Sequence, residues 1–205
     1  MKRALKVALI VLGVTIAVLA VPVWQYFPGH NFRVVEQGAF YGSRQMSGAA
    51  LTETIHKYGV KTVVNCRGKN DGSPWYDEEA AACARAGVVL ANFSWSRNSI
   101  PPPESLLHFL ELLETGQKPF LAHCQGGTHR TGAAAAVYLL AQGKSPAVAR
   151  GQFGPGFRDA PIGDLVTLYE QSGASSFKDW VKNGYPAAYA AWKEARKGSE
   201  KPPEG

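Results

Sequence analysis

The hydrophobic positions of the chain form short runs rich in β-branched residues, separated by longer segments with helical spacing. Three runs have the length and composition of buried strands, namely VKTVVNC at 60–66, VVLANF at 88–93 and KPFLAHC at 118–124. FRVV and AFYGS, which flank a short turn at 36–38, are typical of a hairpin. Buried strands that alternate with helices usually form a parallel sheet covered on both faces. The pattern therefore predicts an α/β fold with a central, mostly parallel sheet flanked by helices.

The segments between these runs carry the start and stop signals of helices. Ser47 precedes GAALTETIHKY and Gly59 follows it, while Gly87 closes WYDEEAAACARA. Another helix is predicted over IPPPESLLHFLELLETG at 100–116, where leucines recur at helical spacing. The alanine-rich TGAAAAVYLLAQ and a further helix capped by Ser145 begin a C-terminal half that is predicted to be mostly helical.

The N-terminus combines a basic end with a long uncharged run. MKRALK is followed by VALIVLGVTIAVLAVPVW, residues 7–24, which contains no charged residue. A helix needs about 17–25 apolar residues to cross a bilayer, so the run predicts a membrane anchor; the alternative is a signal peptide cleaved after Ala20. Because the basic end of such a helix stays in the cytoplasm, a single-pass membrane protein with an extracytoplasmic domain is expected, or else a secreted one.

This interpretation divides the chain into three parts. Residues 1–24 are the anchor or signal peptide, residues 25–192 are one folded domain, and residues 193–205, rich in charge, proline and glycine, are a disordered tail. The formal net charge is +6, with Lys2, Arg3 and Lys6 ahead of any acidic residue. No arginine-rich stripe with interleaved aromatic residues occurs, so nucleic-acid binding is not expected. The remaining mild excess of positive charge suits an acidic or phosphorylated partner.

Three cysteines, Cys66, Cys83 and Cys124, give an odd number. An oxidising compartment would allow one disulfide, between Cys66 and Cys83 for example, with one thiol left over. A cysteine in a strand and one in a helix are also typical of small buried apolar residues, and the sequence leaves both interpretations open.

The densest chemistry lies in HCQGGTHRTG, residues 123–132, between a predicted strand and a predicted helix. The first N–H groups of a helix have no partner within the helix, and its dipole is positive at that end. Gly126 and Gly127 allow the loop to curl so that its N–H groups converge on one point, which is a nest for an oxyanion. Arg130 adds a planar fork that matches two phosphate oxygens, and the same field favours the thiolate of Cys124. The loop is therefore predicted to bind a phosphate and to attack it.

These residues resemble the signature of cysteine-dependent protein tyrosine and dual-specificity phosphatases. The chain fits Cys-x5-Arg-(Ser/Thr) and the fuller His-Cys-x-x-Gly-x-x-Arg-(Ser/Thr)-Gly at every specified position. The upstream segments FRVVEQGAFYGSRQMS, GVKTVVNCRG, WYDEE and KPFLAHC are similar to landmarks of the small bacterial dual-specificity-like type. The resemblance extends over roughly residues 33–145 and implies a tyrosine-phosphatase-like fold.

The resemblance also implies roles for individual residues. Cys124 would be the nucleophile that forms a phosphocysteine intermediate, and Thr131 would help the thiolate leave when water cleaves it. The phosphate would be bound by the N–H groups and side chains of the loop residues Gln125, Gly126, Gly127, Thr128, His129 and Arg130. His123 would orient the loop, and Arg67, which follows a predicted strand, could reach the mouth of the site or form an ordinary salt bridge. The reaction requires a phosphorylated substrate and no cofactor or metal.

The general acid is the point of departure from the family pattern. These phosphatases usually protonate the leaving oxygen with an aspartate upstream of the cysteine, but NFSWSRNSIPPPE at 92–104 contains none. Asp71, in KNDGSPWYDEE, lies on a loop predicted to overhang the same sheet edge, so it is the predicted acid, with Asp77 and Glu79 behind it. Asp77 and Glu79 are equally well explained as negative charge at a helix N-terminus. A leaving group of low pKa would need no strong acid.

Several other functions fit parts of the sequence. A phosphate-binding pseudophosphatase would explain the missing aspartate, and a lipid or sugar phosphate could replace a phosphoprotein as substrate. Sulfur transfer on a rhodanese-like loop also uses a cysteine cradle, but RTG at 130–132 argues against it. Zinc binding by His123, Cys124 and His129 lacks a second ligand pair at the usual spacing.

Overall fold

A five-stranded mixed sheet forms the centre of the protein, which is described here from a computed structural model over residues 2–154 and 156–197. Its strands are β1 (Arg33–Glu36), β2 (Phe40–Arg44), β3 (Thr62–Asn65), β4 (Val89–Asn92) and β5 (Phe120–Cys124). Their order is β1-β2-β5-β3-β4, with β2, β5, β3 and β4 parallel and only the hairpin strand β1 antiparallel. The predicted α/β fold with a mostly parallel sheet is confirmed.

Nine α-helices are described around this sheet. They are α1 (Lys2–Tyr26), α2 (Gly48–Tyr58), α3 (Pro74–Ala86), α4 (Pro103–Thr115), α5 (His129–Ala141), α6 (Pro146–Arg150), α7 (Asp164–Ser172), α8 (Phe177–Asn183) and α9 (Tyr185–Lys197). The predicted stop signals operate as expected, since Gly59 and Gly87 adopt the left-handed conformation at the ends of α2 and α3. The side chain of Ser145 accepts a hydrogen bond from the N–H of Val148 and caps α6.

Alternating residues of the strands supply two separate cores. Phe40, Val64, Phe120 and Ala122 pack with α4, α5 and the C-terminal helices, whereas Tyr41, Val63 and Leu121 pack with α2 and α3. The central strand β5 is buried at all five positions. The fourth strand differs from its prediction as a buried strand, because β4 lies at the edge of the sheet and Val89 is 51% exposed.

The two faces of β5 determine where the loop chemistry lies. Cys124 belongs to the core shared with α5, and the preceding residue His123 projects to the opposite face, where α3 lies. The strand ends at Cys124 and α5 begins at His129, so the intervening loop spans only four residues. The loop is thus fixed between the central strand and a helix whose residues from Thr131 to Leu140 are all buried.

The N-terminal prediction requires correction. A helix does form, as α1, but within residues 2–154 and 156–197 no helix is long and apolar enough to cross a membrane. The predicted anchor of a single-pass membrane protein was therefore wrong. That prediction depended on an uncharged run of residues 7–24, which lies at the short end of the range of about 17–25 residues that a span requires.

The C-terminal boundary lies later than predicted. Helix α9 continues to Lys197, five residues into the segment 193–205 that the composition marked as a tail, and residues 198–205 lie outside the described residues. The helix is tied to the domain because Trp192 Nε1 donates a hydrogen bond to Asp164 Oδ2 at 2.8 Å. The completely buried Tyr185 also donates its hydroxyl to the carbonyl oxygen of Pro101.

Candidate active site

Cys124 lies at the C-terminal end of the central strand and is 3% exposed. Burial alone would raise the pKa of its thiol. Hydrogen bonds from the Thr131 hydroxyl and from the N–H groups of Thr131 and Gly127 act in the opposite direction, as does the positive charge of Arg130. Together they hold the pKa of Cys124 below the ordinary value, so the thiolate is favoured and the sulfur is nucleophilic.

Gly127 is the position where the loop requires glycine. Its φ is +71°, and a Cβ atom there would lie 2.5 Å from the backbone nitrogen of Arg44 and 2.7 Å from the carbonyl oxygen of Ser43. Gly126 differs, because it lies outside the left-handed region and a Cβ there would meet only the Tyr26 hydroxyl, at 3.3 Å. The close approach at Gly127 allows its N–H group to reach the sulfur of Cys124.

The back of the loop is held by two residues that the sequence did not single out. Arg33 Nη1 donates to the carbonyl oxygen of Gly127 at 2.7 Å, and Asn31 Nδ2 donates to that of Gly126 at 3.0 Å. These bonds fix the loop carbonyls on the side away from the sulfur. Burial lowers the pKa of Arg33, while attraction to Cys124 acts in the opposite direction. These partners lie more than 90 residues from the loop in sequence, and nothing local in the sequence identified them.

Arg130 lies at the start of α5 beside two other loops. Its Nη1 atom is 3.5 Å from the carbonyl oxygen of Cys66 and 3.4 Å from that of Trp95. These carbonyl groups follow β3 and β4, so the parallel strands bring three loops to one edge of the sheet, as the pattern predicted. The arginine side chain is only half-buried, which leaves it able to meet an anion.

Thr131 is completely buried one residue further along α5. Its hydroxyl is within hydrogen-bond distance of the carbonyl oxygen of Ser43, at 3.2 Å, and it also bonds to the sulfur of Cys124. A hydroxyl has one proton, so it can donate to only one of these acceptors at a time. The side chain can therefore stabilise the thiolate and still retain a partner when the sulfur is covalently occupied.

Arg67 forms a different contact from the salt bridge considered above. Its guanidinium carbon lies 3.4 Å from the centre of the Trp75 ring, and its Nη1 donates to Gln45 Oε1 at 3.1 Å. Burial and repulsion from Arg130 lower the pKa of Arg67, while Glu79 and Cys124 raise it. Arg67 is therefore close enough to the loop to sense the charges of Arg130 and Cys124.

His123 and Glu79 form a buried contact on the opposite face of β5. The Nε2 atom of His123 lies 3.0 Å from Oε2 of Glu79, and the two side chains are 4% and 1% exposed. The distance is that of an ion pair, although the ring N–H is not aligned for a hydrogen bond. Glu79 therefore cannot supply a proton at the mouth of the site, so its candidacy as a general acid fails.

The observed contacts of the remaining acid candidates are with residues outside the loop 124–130. Asp71 is exposed and forms a salt bridge with Lys69 at 2.9 Å. Asp77 accepts a hydrogen bond from the N–H of Gly72 at 3.1 Å, as a residue in the first turn of α3. Asn92, the first residue of the segment 92–104 that contains no aspartate, accepts a hydrogen bond from Asn65 and donates one to Tyr76, and so joins the ends of β3 and β4 to α3.

His129 contacts the segment that follows α6. Its ring centre is 5.5 Å from that of Phe157. Burial and the charge of the exposed Arg97 lower its pKa, and hydrogen bonds with the backbone of Phe157 and Gly156 oppose this. His129 is therefore close enough to Arg97 and Arg130 for both charges to lower its pKa.

The three cysteines are all free, so the possible Cys66–Cys83 disulfide is absent. Burial raises the pKa of Cys83 to about 12, and burial together with repulsion from Cys124 raises that of Cys66 well above its ordinary value. Only Cys124 is shifted toward the thiolate. Within the described ranges 2–154 and 156–197, no group of three or more His, Cys, Asp or Glu side chains is arranged to hold a metal ion.

A reactive thiol at the end of the central strand, a curled glycine loop and an arginine at the helix start define a cysteine-dependent phosphatase of the tyrosine and dual-specificity class. Residues 30–158 match the family model described as "DSP-PTPase phosphatase fused to NAD+ Kinase". The chain belongs to this family, which confirms the resemblance inferred from the signature. No curated protein sequence matches the chain.

Solved structures share the fold at low sequence identity. TpbA of P. aeruginosa is 22% identical, with a TM-score of 0.55 over 80% of this chain and 92% of TpbA. The core catalytic domain of the PP-IP phosphatase SIW14 of S. cerevisiae, in complex with citrate, is also 22% identical, with a TM-score of 0.57 over 68% of this chain and 85% of that domain. A TpbA variant in complex with phosphotyrosine has 21% identity and a TM-score of 0.55.

Proposed function

We propose that this phosphatase hydrolyses aryl phosphomonoesters, phosphotyrosine in an acidic peptide being the class of substrate, through a phosphocysteine on Cys124. The observation that carries this proposal is the convergence of the Thr131 hydroxyl, the N–H groups of Thr131 and Gly127 and the charge of Arg130 on a thiol that is 3% exposed, which lowers its pKa. A buried cysteine without a catalytic environment would have its pKa raised, as Cys66 and Cys83 do. The same donors that favour the thiolate are oriented to hold a phosphoryl group.

The proposed reaction proceeds in two steps, formation of the phosphocysteine and its hydrolysis. The Cys124 thiolate attacks phosphorus in line, the S–P bond forms, and the P–O bond to the leaving group breaks. Water then attacks the phosphocysteine, releasing inorganic phosphate and the thiolate, which the Thr131 hydroxyl stabilises by a hydrogen bond. During both steps the equatorial oxygens of the phosphoryl group are bound by the loop N–H groups between Gln125 and Arg130 and by the Arg130 guanidinium.

The acid candidates support a leaving group that departs easily. Glu79 is buried on the opposite face, and the observed contacts of Asp71 and Asp77 lead away from the sulfur. A phenolate needs less proton donation than an alkoxide, because its conjugate acid has a pKa near 10, far below that of an alcohol. Asp71, on the loop after β3, is the residue that we propose for the remaining proton donation, after release from Lys69.

The charges around the opening support a substrate with more than one negative group. Arg130 binds the transferred phosphoryl group, Arg67 is close enough to Arg130 to be repelled by it, and the exposed Arg97 is close enough to His129 to lower its pKa. Burial and repulsion from Arg130 lower the pKa of Arg67, and an anion between Arg67 and Arg130 would relieve the repulsion. Acidic residues next to a phosphotyrosine would supply that charge. TpbA, whose fold is similar, has been captured with phosphotyrosine, which is consistent with this choice.

The test is hydrolysis by the full chain of three matched substrates. They are a phosphotyrosine peptide with acidic flanks, the same peptide with basic flanks, and the acidic peptide with phosphoserine. We expect the acidic phosphotyrosine peptide to have the highest kcat/KM and the phosphoserine peptide the lowest. Cys124→Ser should abolish turnover while retaining binding of the phosphopeptide. Equal turnover by Cys124→Ser would refute the phosphocysteine, and an equal or higher kcat/KM for the phosphoserine peptide would refute the substrate class.

A further inference from the structure

Glu79 is an acidic side chain that is almost completely buried. It lies in α3 and is 1% exposed, unlike its neighbours Asp77 and Glu78, which are exposed. A buried carboxylate is costly unless it is paired and hydrogen-bonded. Substrate cannot reach it, and the proposed reaction does not use it as an acid. Its position therefore needs an explanation.

The carboxylate of Glu79 contacts two residues, His123 and Gln45, that are themselves joined to the backbone of Cys124. Glu79 Oε2 lies 3.0 Å from Nε2 of His123, the residue immediately before Cys124, and the same oxygen accepts a hydrogen bond from Nε2 of Gln45. The backbone N–H of Gln45 donates to the carbonyl oxygen of Cys124 at 2.7 Å. One carboxylate oxygen thus contacts both His123, which precedes Cys124 in β5, and Gln45, which directly follows β2 and donates its N–H to Cys124.

A second connection reaches the mouth of the site. The Gln45 side chain, which donates to Glu79 through its nitrogen, accepts a hydrogen bond from Arg67 through its oxygen at 3.1 Å. This use of both amide atoms fixes the orientation of Gln45, because reversing the amide would place like groups together. The positions of Arg67 and of the Cys124 backbone therefore both depend on Glu79.

We infer that Glu79 is a positioning residue of this phosphatase: through His123 and Gln45 it fixes the end of β5 so that the Cys124 sulfur faces Thr131 and Arg130. It acts from the opposite face of the sheet and touches no substrate. The inference rests on the proposed role of Cys124 as nucleophile. Small displacements of a nucleophile reduce the rate of the chemical step more than the binding of substrate.

The experiment compares Glu79→Gln with Glu78→Gln in the full chain. Glu78 is the adjacent exposed carboxylate and contacts only the N–H of Gly48 among its observed hydrogen bonds, at 3.3 Å, which makes it a matched control. With p-nitrophenyl phosphate we expect Glu79→Gln to lower kcat roughly 10- to 100-fold, while KM and inhibition by inorganic phosphate change less than about 3-fold. Glu78→Gln should match the wild type. Thermal unfolding, followed by circular dichroism, gives the folded fraction on which kcat is based.

A double variant separates positioning from stability. If Glu79 acts through His123, then Glu79→Gln combined with His123→Asn should lose no more kcat than the more severe single variant. A lowered melting temperature with wild-type kcat per folded molecule would overturn the inference and leave Glu79 a structural residue. Multiplicative losses in the double variant would overturn the part of the inference in which Glu79 acts through His123. If Glu79→Gln does not fold, Glu79→Asp, which keeps the charge on a shorter side chain, replaces it and should show the same selective loss of kcat to a smaller extent. If the proposed function itself is wrong, the wild type will release no p-nitrophenol. That outcome differs from a failure of the inference about Glu79, in which the wild type remains active.

Discussion

The hydroxyl of Thr131 hydrogen-bonds the sulfur of Cys124 from within the first turn of α5, where Thr131 is completely buried. The bond favours the thiolate over the thiol, and the alternative acceptor, the carbonyl oxygen of Ser43, lies 3.2 Å away. The strength of this bond can be measured through the ionisation of the cysteine.

Thr131→Ala is expected to raise the pKa of Cys124, because it removes the hydroxyl that favours the thiolate, and a hydrogen bond to a charged group is worth about 1.5–3 kcal/mol. The rate of alkylation by iodoacetamide rises as the thiol ionises, so this rise should move to higher pH in the variant. Thr131→Ser, which retains the hydroxyl, should keep the wild-type profile. Identical profiles for the alanine variant and the wild type would show that the hydroxyl does not stabilise the thiolate.

Gly127→Ala should distort the loop and abolish most phosphatase activity. The left-handed conformation alone costs an alanine about 1–3 kcal/mol, and its Cβ would also lie 2.7 Å from the carbonyl oxygen of Ser43. Gly38 offers a matched control, because its φ of +73° is nearly the same but nothing lies within 4 Å of its Cβ position. Gly38→Ala should therefore lose some thermal stability and keep its kcat. Equal activities of the two variants would contradict the close-approach argument.

Asp71→Asn should affect substrates according to their leaving groups. For p-nitrophenyl phosphate, which needs little proton donation, we expect kcat to change less than about 3-fold. For an alkyl phosphate, general-acid catalysis contributes roughly 100-fold or more, and this contribution should be lost. Asp77→Asn, which removes a helix N-terminal charge, should show no such dependence. An equal loss on both substrates would exclude Asp71 as the proton donor.

Arg67→Ala should raise KM for the acidic phosphotyrosine peptide and leave KM for p-nitrophenyl phosphate nearly unchanged. A partly exposed charge pair contributes about 0.2–1 kcal/mol, so the expected increase in KM is roughly 2- to 5-fold, and it should decrease with added salt. Arg85→Ala removes an exposed arginine at the far end of α3 and is the control for net charge. A salt-independent change, or the same change in both variants, would argue against a specific anion contact at Arg67.

The sequence was most informative where chemistry is local. The spacing from Cys124 to Arg130 and the glycine at 127 predicted a reactive thiol in an anion nest. In the structure Gly127 is left-handed and the pKa of Cys124 is lowered, while the catalytic roles of these residues stay a prediction. The hairpin, α2, α3 and the central strand β5 also follow from capping residues and β-branched runs. These signals depend on neighbours within a few residues, so the pattern alone could supply them.

The remaining features depend on residues that are distant in sequence. Glu79 has the same local pattern as Asp77, a negative charge near a helix N-terminus, yet its contact with His123 buries it. Arg33 gives no local indication of its bond to Gly127, 94 residues away. The exposure of Val89 depends on the order of strands in the sheet, which an apolar run alone does not determine. In each case the decisive partner becomes apparent only once the topology is known.

The placement of β5 between β2 and β3 has a consequence for how the enzyme is inactivated. The strand that ends in the nucleophile is hydrogen-bonded on both sides and is the middle member of the sheet, so it cannot detach without the loss of its neighbours. Heat or urea should therefore abolish turnover only as the whole domain melts, and the activity curve should superimpose on the far-ultraviolet dichroism curve. A catalytic loop at a sheet edge could unfold locally, and activity would then be lost before the domain melts. In this protein the surroundings of the Cys124 thiol should be among the last parts of the structure to unfold.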